Sequence, residues 1–255
     1  MTGALRRPAV GALIFPGVLL VGIVAGLLAD GGNTPLGVWV FLTVIAGWVV
    51  SLCLHEFAHS VVALAGGDTS VRARGYLTLN PLRYTDPVFS LIIPLVLLAV
   101  GGIPLPGGAV LIESHRLRSR AWSSLVSAAG PLTNFVLGVI CTLAAGSMVG
   151  SNSFTGLAAA LSFLAVLQFV TAILNVLPIP GFDGFGILSP YLSPQFNRRI
   201  APIRPWAPLI LFALIWTVPQ ISAALFSPAF GLFELFGGDE YAAAVGQSLF
   251  QFWRF

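Results

Sequence analysis

Five apolar stretches, residues 10–29, 37–65, 121–149, 154–177 and 206–226, dominate this chain. Each reaches or exceeds the roughly 20 residues that a helix needs to cross the hydrocarbon of a bilayer. A helix that is apolar all round has to face lipid or other apolar helices, and here only 8% of 255 residues are charged, too few to clothe a water-soluble globule. The expected fold is an all-α multi-pass membrane protein: one domain over 1–255, about five to six transmembrane helices, its core at 37–190 and a C-terminal helix and tail over 206–255. The first stretch follows Arg6 and Arg7 as a secretory signal would, yet no small-x-small cleavage site precedes the next segment and its length suits a span.

A sixth apolar piece, 87–100, is bracketed by Pro and Gly and is short, which suits a re-entrant helix. Arginine placement bears on it, since all twelve basic residues are Arg and cytoplasmic loops carry the excess of positive charge. If 87–100 does not cross, Arg6, Arg7, Arg72, Arg74, Arg83, Arg116, Arg118, Arg120, Arg198, Arg199 and Arg204 share one side; if it crosses, the bias slightly reverses. The non-crossing topology is therefore expected, in a bacterial cell membrane. The arginines are topology signals between spans and imply no nucleic-acid partner. Residues 68–80 alternate polar and apolar around Gly75, and 109–112 reads as a strand, so small membrane-associated β segments are expected on the cytoplasmic face. Residues 227–255 are expected as a membrane-surface tail.

Two acidic residues, Glu56 and Asp183, lie inside or at the edge of the central spans, where an ionisable group is costly unless something compensates it. Glu56 belongs to His55-Glu56-Phe57-Ala58-His59, an H-E-x-x-H pattern whose spacing of four puts both imidazoles on one helix face. A catalytic zinc takes three protein ligands and keeps a position open. Asp183 is the best third donor, because Pro178 and Pro180 end the preceding helix and turn it inward. Both donor sets run toward one face of the membrane only if 87–100 does not cross, so charge bias and ligand geometry favour the same topology. His115, in an Arg-rich loop, reads as an interfacial histidine. Cys53 and Cys141 lack ligand spacing and read as small buried hydrophobes.

H-E-x-x-H at 55–59 together with N-x-x-P-x-x-x-x-D-G at 175–184 resembles the paired signature of the site-2 protease family of intramembrane metalloproteases. Ala129-Gly130-Pro131-Leu132-Thr133-Asn134 is similar to that family's A-G-P-x-x-N helix entry, and Asn80-Pro81-Leu82-Arg83-Tyr84 with Asp86-Pro87 to a loop of its small members. The likeness covers about residues 40–190. It implies His55, His59 and Asp183 as ligands of one zinc ion, Glu56 as the catalytic glutamate, and Asn175 as a residue that helps hold substrate or the developing oxyanion, with Asn134 structural. It further implies a transmembrane protein or peptide as substrate, with the lipid bilayer as surroundings. The arginine bias puts the active site toward the cytoplasmic side, and with no PDZ-sized insertion between the motifs the chain resembles a minimal member without a PDZ or other regulatory domain. The sequence departs from the pattern at Gly181-Phe182, where small members often carry Pro-Leu, and in the Gly-rich 101–108. The strand-like segments would clamp an unwound substrate by β-strand addition. The alternative is a membrane zinc-binding transporter or an inactive protease-like scaffold; a transporter has no use for a non-ligand glutamate between two histidines.

Overall fold

A computed structural model describes residues 9–83, 111–149 and 154–254. Among these, the chain forms ten α-helices joined by turns and short 3-10 segments: α1 (Ala9–Asp30), α2 (Leu36–Gly66), α3 (Ser70–Ala73), α4 (Arg120–Gly146), α5 (Gly156–Val176), α6 (Asp183–Leu188), α7 (Pro194–Ile200), α8 (Ala207–Thr217), α9 (Pro219–Leu235) and α10 (Glu240–Phe250). Four of them, α1, α2, α4 and α5, are long and apolar enough to cross a membrane, and a fifth crossing arises if the pair Pro194–Ile203 and Ala207–Thr217, bent by 58°, is one span. The all-α multi-pass architecture follows. At 31 residues and 1.5 Å per residue, α2 is about 46 Å long, well beyond the roughly 30 Å hydrocarbon thickness.

The centre of the bundle is α5, whose membrane window is 83% buried against 17% for α1. Small residues set the helix pairings, since backbones in lipid pack closest where side chains are short. A β-carbon on Gly22 of α1 would sit 3.0 Å from Ala46 of α2, and one on Gly26 3.9 Å from Thr43, an antiparallel pairing. On α2, Gly47 leaves room for Leu164 of α5 and Ser51 meets Gln168; equal steps in the same direction make these helices parallel. Against α4 the order reverses: His55 meets Asn134, while Gly66 abuts Trp122. The ends of α2 and α5 thus lie on one side of the bundle, where α4 begins, as the shared-site argument requires.

The expected β segments are not found among the described residues. In 68–80 a one-turn helix replaces the hairpin, because the Asp68 carboxylate accepts the Ser70 N–H (2.9 Å) and the Glu113 N–H (2.8 Å) and nucleates a turn. Gly75, with φ +74°, closes it by directing the Tyr76 N–H to the Val71 carbonyl. Of the strand expected over 109–112, Leu111 and Ile112 are irregular, and residues 109–110 lie outside the described residues, as do the short apolar piece 87–100 and the Gly-rich 101–108. The apolar stretch 206–226 is not one helix but α8 and α9, parted at Val218–Pro219, since Pro219 has no N–H to continue the first helix. Residues 227–254 are not a surface tail either. Phe233 and Phe250 are fully buried, and α10 crosses α5 so closely that a β-carbon on Gly246 would lie 2.1 Å from the Ala159 carbonyl oxygen.

Candidate metal centre

His55 and His59 lie one helical turn apart in the buried stretch of α2, and their Nε2 atoms are 3.1 Å apart. The peptide reaches Asp183 through a break. α5 ends at Val176, Pro178 and Pro180 keep the chain irregular, and Gly181, at φ +100°, makes a turn that an L side chain disfavours. Asp183 opens α6, and Gly184 lets that turn seat on the end of α5, where a β-carbon would come within 2.0 Å of the Val176 carbonyl oxygen. Asp183 Oδ2 thereby stands 3.2 Å from His55 Nε2, and Oδ1 3.4 Å from His59 Nε2. One ligand atom from each of the three residues falls within a 4.8 Å group.

This arrangement fits a metal ion. Ligands bonded tetrahedrally at 2.0–2.1 Å stand about 3.3 Å from one another; the two Nε2 atoms at 3.1 Å match, and each has its own Asp183 carboxylate oxygen at a like distance, Oδ2 at 3.2 Å from His55 and Oδ1 at 3.4 Å from His59. Both Nδ1 atoms are occupied elsewhere, His59 by the Val126 carbonyl at 2.6 Å and His55 by Asn134 Oδ1 at 2.5 Å, so both Nε2 lone pairs are turned inward. Space is kept for an ion by Gly130 of α4: a β-carbon there would lie 2.4 Å from each Nε2. Two imidazoles and a carboxylate are a donor set suited to zinc.

Of the other residues singled out in the sequence, Glu56 is 3% exposed and follows His55 on α2, about 100° around the helix. Asn175 is buried near the end of α5. Asn134 is at the centre, bonded to His55. His115 is not brought to the site: it is exposed beside Glu113 in the loop before α4. Cys53 is fully buried and packs, with Cys141, among apolar side chains. Sequence reasoning missed Gly130 as the wall of the cradle, the Val126 carbonyl, and Gln168, which hydrogen-bonds Asn134 at 2.8 Å. The signal for Gln168 was present, as an uncharged polar side chain alone in the most apolar part of α5.

No family model matches the chain, and no solved structure matches it. Curated relatives do. A protein of Mycolicibacterium smegmatis named "Putative zinc metalloprotease Rip2" is 42% identical over 235 residues, covering 91% of this chain and 88% of its own. Its namesake in Mycobacterium tuberculosis is 42% identical over 244 residues, 94% of this chain and 93% of its own. "Putative zinc metalloprotease YwhC" of Bacillus subtilis is 29% identical over 197 residues, 75% of this chain and 86% of its own. With such identity across nearly the whole of both chains, this protein belongs to the family of the mycobacterial Rip2 proteins, a site-2 protease-like family.

Proposed function

We propose that this protein is an intramembrane zinc-dependent endopeptidase that hydrolyses peptide bonds within or beside transmembrane segments of other proteins. The observation that carries the reading is the His55, His59 and Asp183 cluster, its two histidines buried on a membrane-spanning helix with buried Glu56 next to His55 in the chain. Zinc held there supplies Lewis acidity, polarising a scissile carbonyl and acidifying a water. Glu56 takes the proton of the attacking water and hands it to the leaving amine. Asn175 steadies the peptide or its developing oxyanion. The substrate has to unwind first, because a helix hides its amides in its own hydrogen bonds. The site faces the cytoplasm, since Arg72, Arg74, Arg83, Arg116, Arg118 and Arg120 gather where α2 ends and α4 begins, on the side toward which its ligands lie.

Glu56→Gln tests the reading. The variant retains zinc, measured by mass spectrometry on purified protein, and loses about 10²–10⁴-fold in cleavage of single-span substrates. A variant that cuts as fast as the wild type would remove Glu56 from the chemistry.

A further inference from the structure

The two histidines are held differently. His59 Nδ1 faces the Val126 carbonyl, which only accepts, so Nδ1 carries the proton and Nε2 presents a lone pair. His55 Nδ1 faces a carboxamide, Asn134, which accepts in one orientation and donates in the other. Were Asn134 turned over, it would donate to Nδ1. The imidazole proton would then sit on Nε2, aimed at His59 Nε2 and Asp183, and His55 would offer no lone pair there.

The orientation of Asn134 is set three groups away. Asn134 Nδ2 donates to Gln168 Oε1 at 2.8 Å, Gln168 Nε2 to Ser51 Oγ at 2.9 Å, and the Ser51 hydroxyl to the Trp48 carbonyl at 2.8 Å. The last group only accepts. With Ser51 committed to it, Gln168 has to donate to Ser51, Asn134 has to donate to Gln168, and the Asn134 oxygen is left for His55. The reversed chain makes one hydrogen bond fewer, at Trp48. Ser51, Asn134 and Gln168 are 5%, 2% and 1% exposed, so water does not make up the difference.

We propose that Gln168 is a positioning residue: through Asn134 it transmits the fixed polarity of the α2 backbone at Trp48 to His55 and holds that ligand with its proton on Nδ1. The inference rests on the reading of His55 as a zinc ligand. The chain of bonds leaves α2 at Ser51, passes through α5 and α4 and returns to α2 at His55, so it functions only when the three helices are in register.

The experiment compares zinc affinity, by chelator competition on the full chain in detergent, in four variants. Gln168→Met keeps the volume and cannot orient Asn134; it weakens zinc binding about 10–100-fold, the usual loss when a ligand's supporting group is removed. Gln168→Glu, as the neutral acid its buried surroundings favour, donates to Ser51 and accepts from Asn134, and binds zinc like the wild type. Asn134→Asp is ionised, because it faces the imidazole N–H of a metal-bound His55, whereas the acid of Gln168→Glu faces only a hydroxyl and a carboxamide. It only accepts from His55 and locks the tautomer without help, so adding Gln168→Met to it changes nothing further. Equal affinity in Gln168→Met and wild type overturns the proposal. So does a Glu variant weakened as much as the Met variant, or an undiminished effect of Gln168→Met beside Asn134→Asp, because either marks a packing role only. If Gln168→Met does not fold, Ser51→Ala decides in its place: with the bond to the Trp48 carbonyl removed the polarity of the chain is no longer set and zinc binding weakens, whereas wild-type affinity in Ser51→Ala overturns the proposal. A wild type that holds no zinc would instead overturn the metal reading itself.

Discussion

Gly130→Ala concentrates the steric logic of the metal centre in one methyl group. The new carbon would lie 2.4 Å from both Nε2 atoms, whereas carbon and nitrogen rest about 3.5 Å apart, so the rings or α4 must give by roughly 1 Å. Neither imidazole swings away freely, because Asn134 and Val126 hold their far sides at 2.5 and 2.6 Å. A displacement of that size exceeds what a bond of 2.0–2.1 Å tolerates. If zinc binding worth about 10–16 kcal/mol is shared among four ligands, losing one costs on the order of 3 kcal/mol, about 100-fold in affinity. The assay is chelator competition on folded, purified protein. Gly138→Ala is the control: it lies on the same helix and crowds the Phe169 ring at 2.9 Å, so it costs about 1–3 kcal/mol of stability through overpacking and leaves zinc affinity alone. A Gly130→Ala protein with wild-type affinity would refute the placement of the ion between the imidazoles.

Three further outcomes are expected. Asn175→Ala keeps its zinc and loses on the order of 10²–10³ in kcat if it serves the oxyanion; an unchanged kcat assigns it to the helix end. Gly246→Ala, whose methyl meets the Ala159 carbonyl, lowers the thermal midpoint through about 1–3 kcal/mol of overpacking without altering zinc per folded molecule. At Asp68, burial alone would raise the carboxyl's pKa, but the hydrogen bonds from Ser70 and the Glu113 N–H outweigh it and hold the pKa below its ordinary 3.8. A depressed folded pKa means that this tie is fully present above 3.8 and is lost as pH falls through the lower folded value. Asp68→Asn should therefore expose the loop around Glu113 to proteolysis at neutral pH, as wild type does only in strong acid.

How much of this was legible in the sequence follows from what each feature depends on. The spans were legible because hydrocarbon thickness imposes a length, and the gathering of His55, His59 and Asp183 because an acidic residue in an apolar run needs a partner. The four-residue step of the two histidines is a property of one helix and survives any packing. The hairpin expected over 68–80 failed for the opposite reason. Its alternation was weak, and the outcome was decided by Asp68 reaching Glu113, a contact across 45 residues that no local pattern contains. The C-terminal segment misled similarly: Glu234, Asp239 and Glu240 suggested a surface, while Phe233, Ala243 and Phe250 between and beside them bury against the bundle. Gln168 carried a visible signal, but its partners sit on two other helices, and only their register gives it a role.

That register makes the metal centre part of the packing. Gly47 with Leu164 and Ser51 with Gln168 fix α2 beside α5 at equal steps, and Asp183 arrives at the histidines only because α5 ends at the level they occupy. An ion joining His55, His59 and Asp183 therefore also ties α6 to α2 across α4. Ligand linkage then requires that zinc stabilise the fold by about 2.7 kcal/mol when free metal stands at 100 times Kd. Chelation should lower the thermal midpoint of wild type and of Glu56→Gln alike if Glu56 is no ligand, and should lower that of Gly130→Ala far less, since at a roughly 100-fold weaker Kd the same metal adds only about 0.4 kcal/mol. An equal drop in Gly130→Ala would mean that the chelator acts elsewhere and that the centre is not the element holding α6 in place.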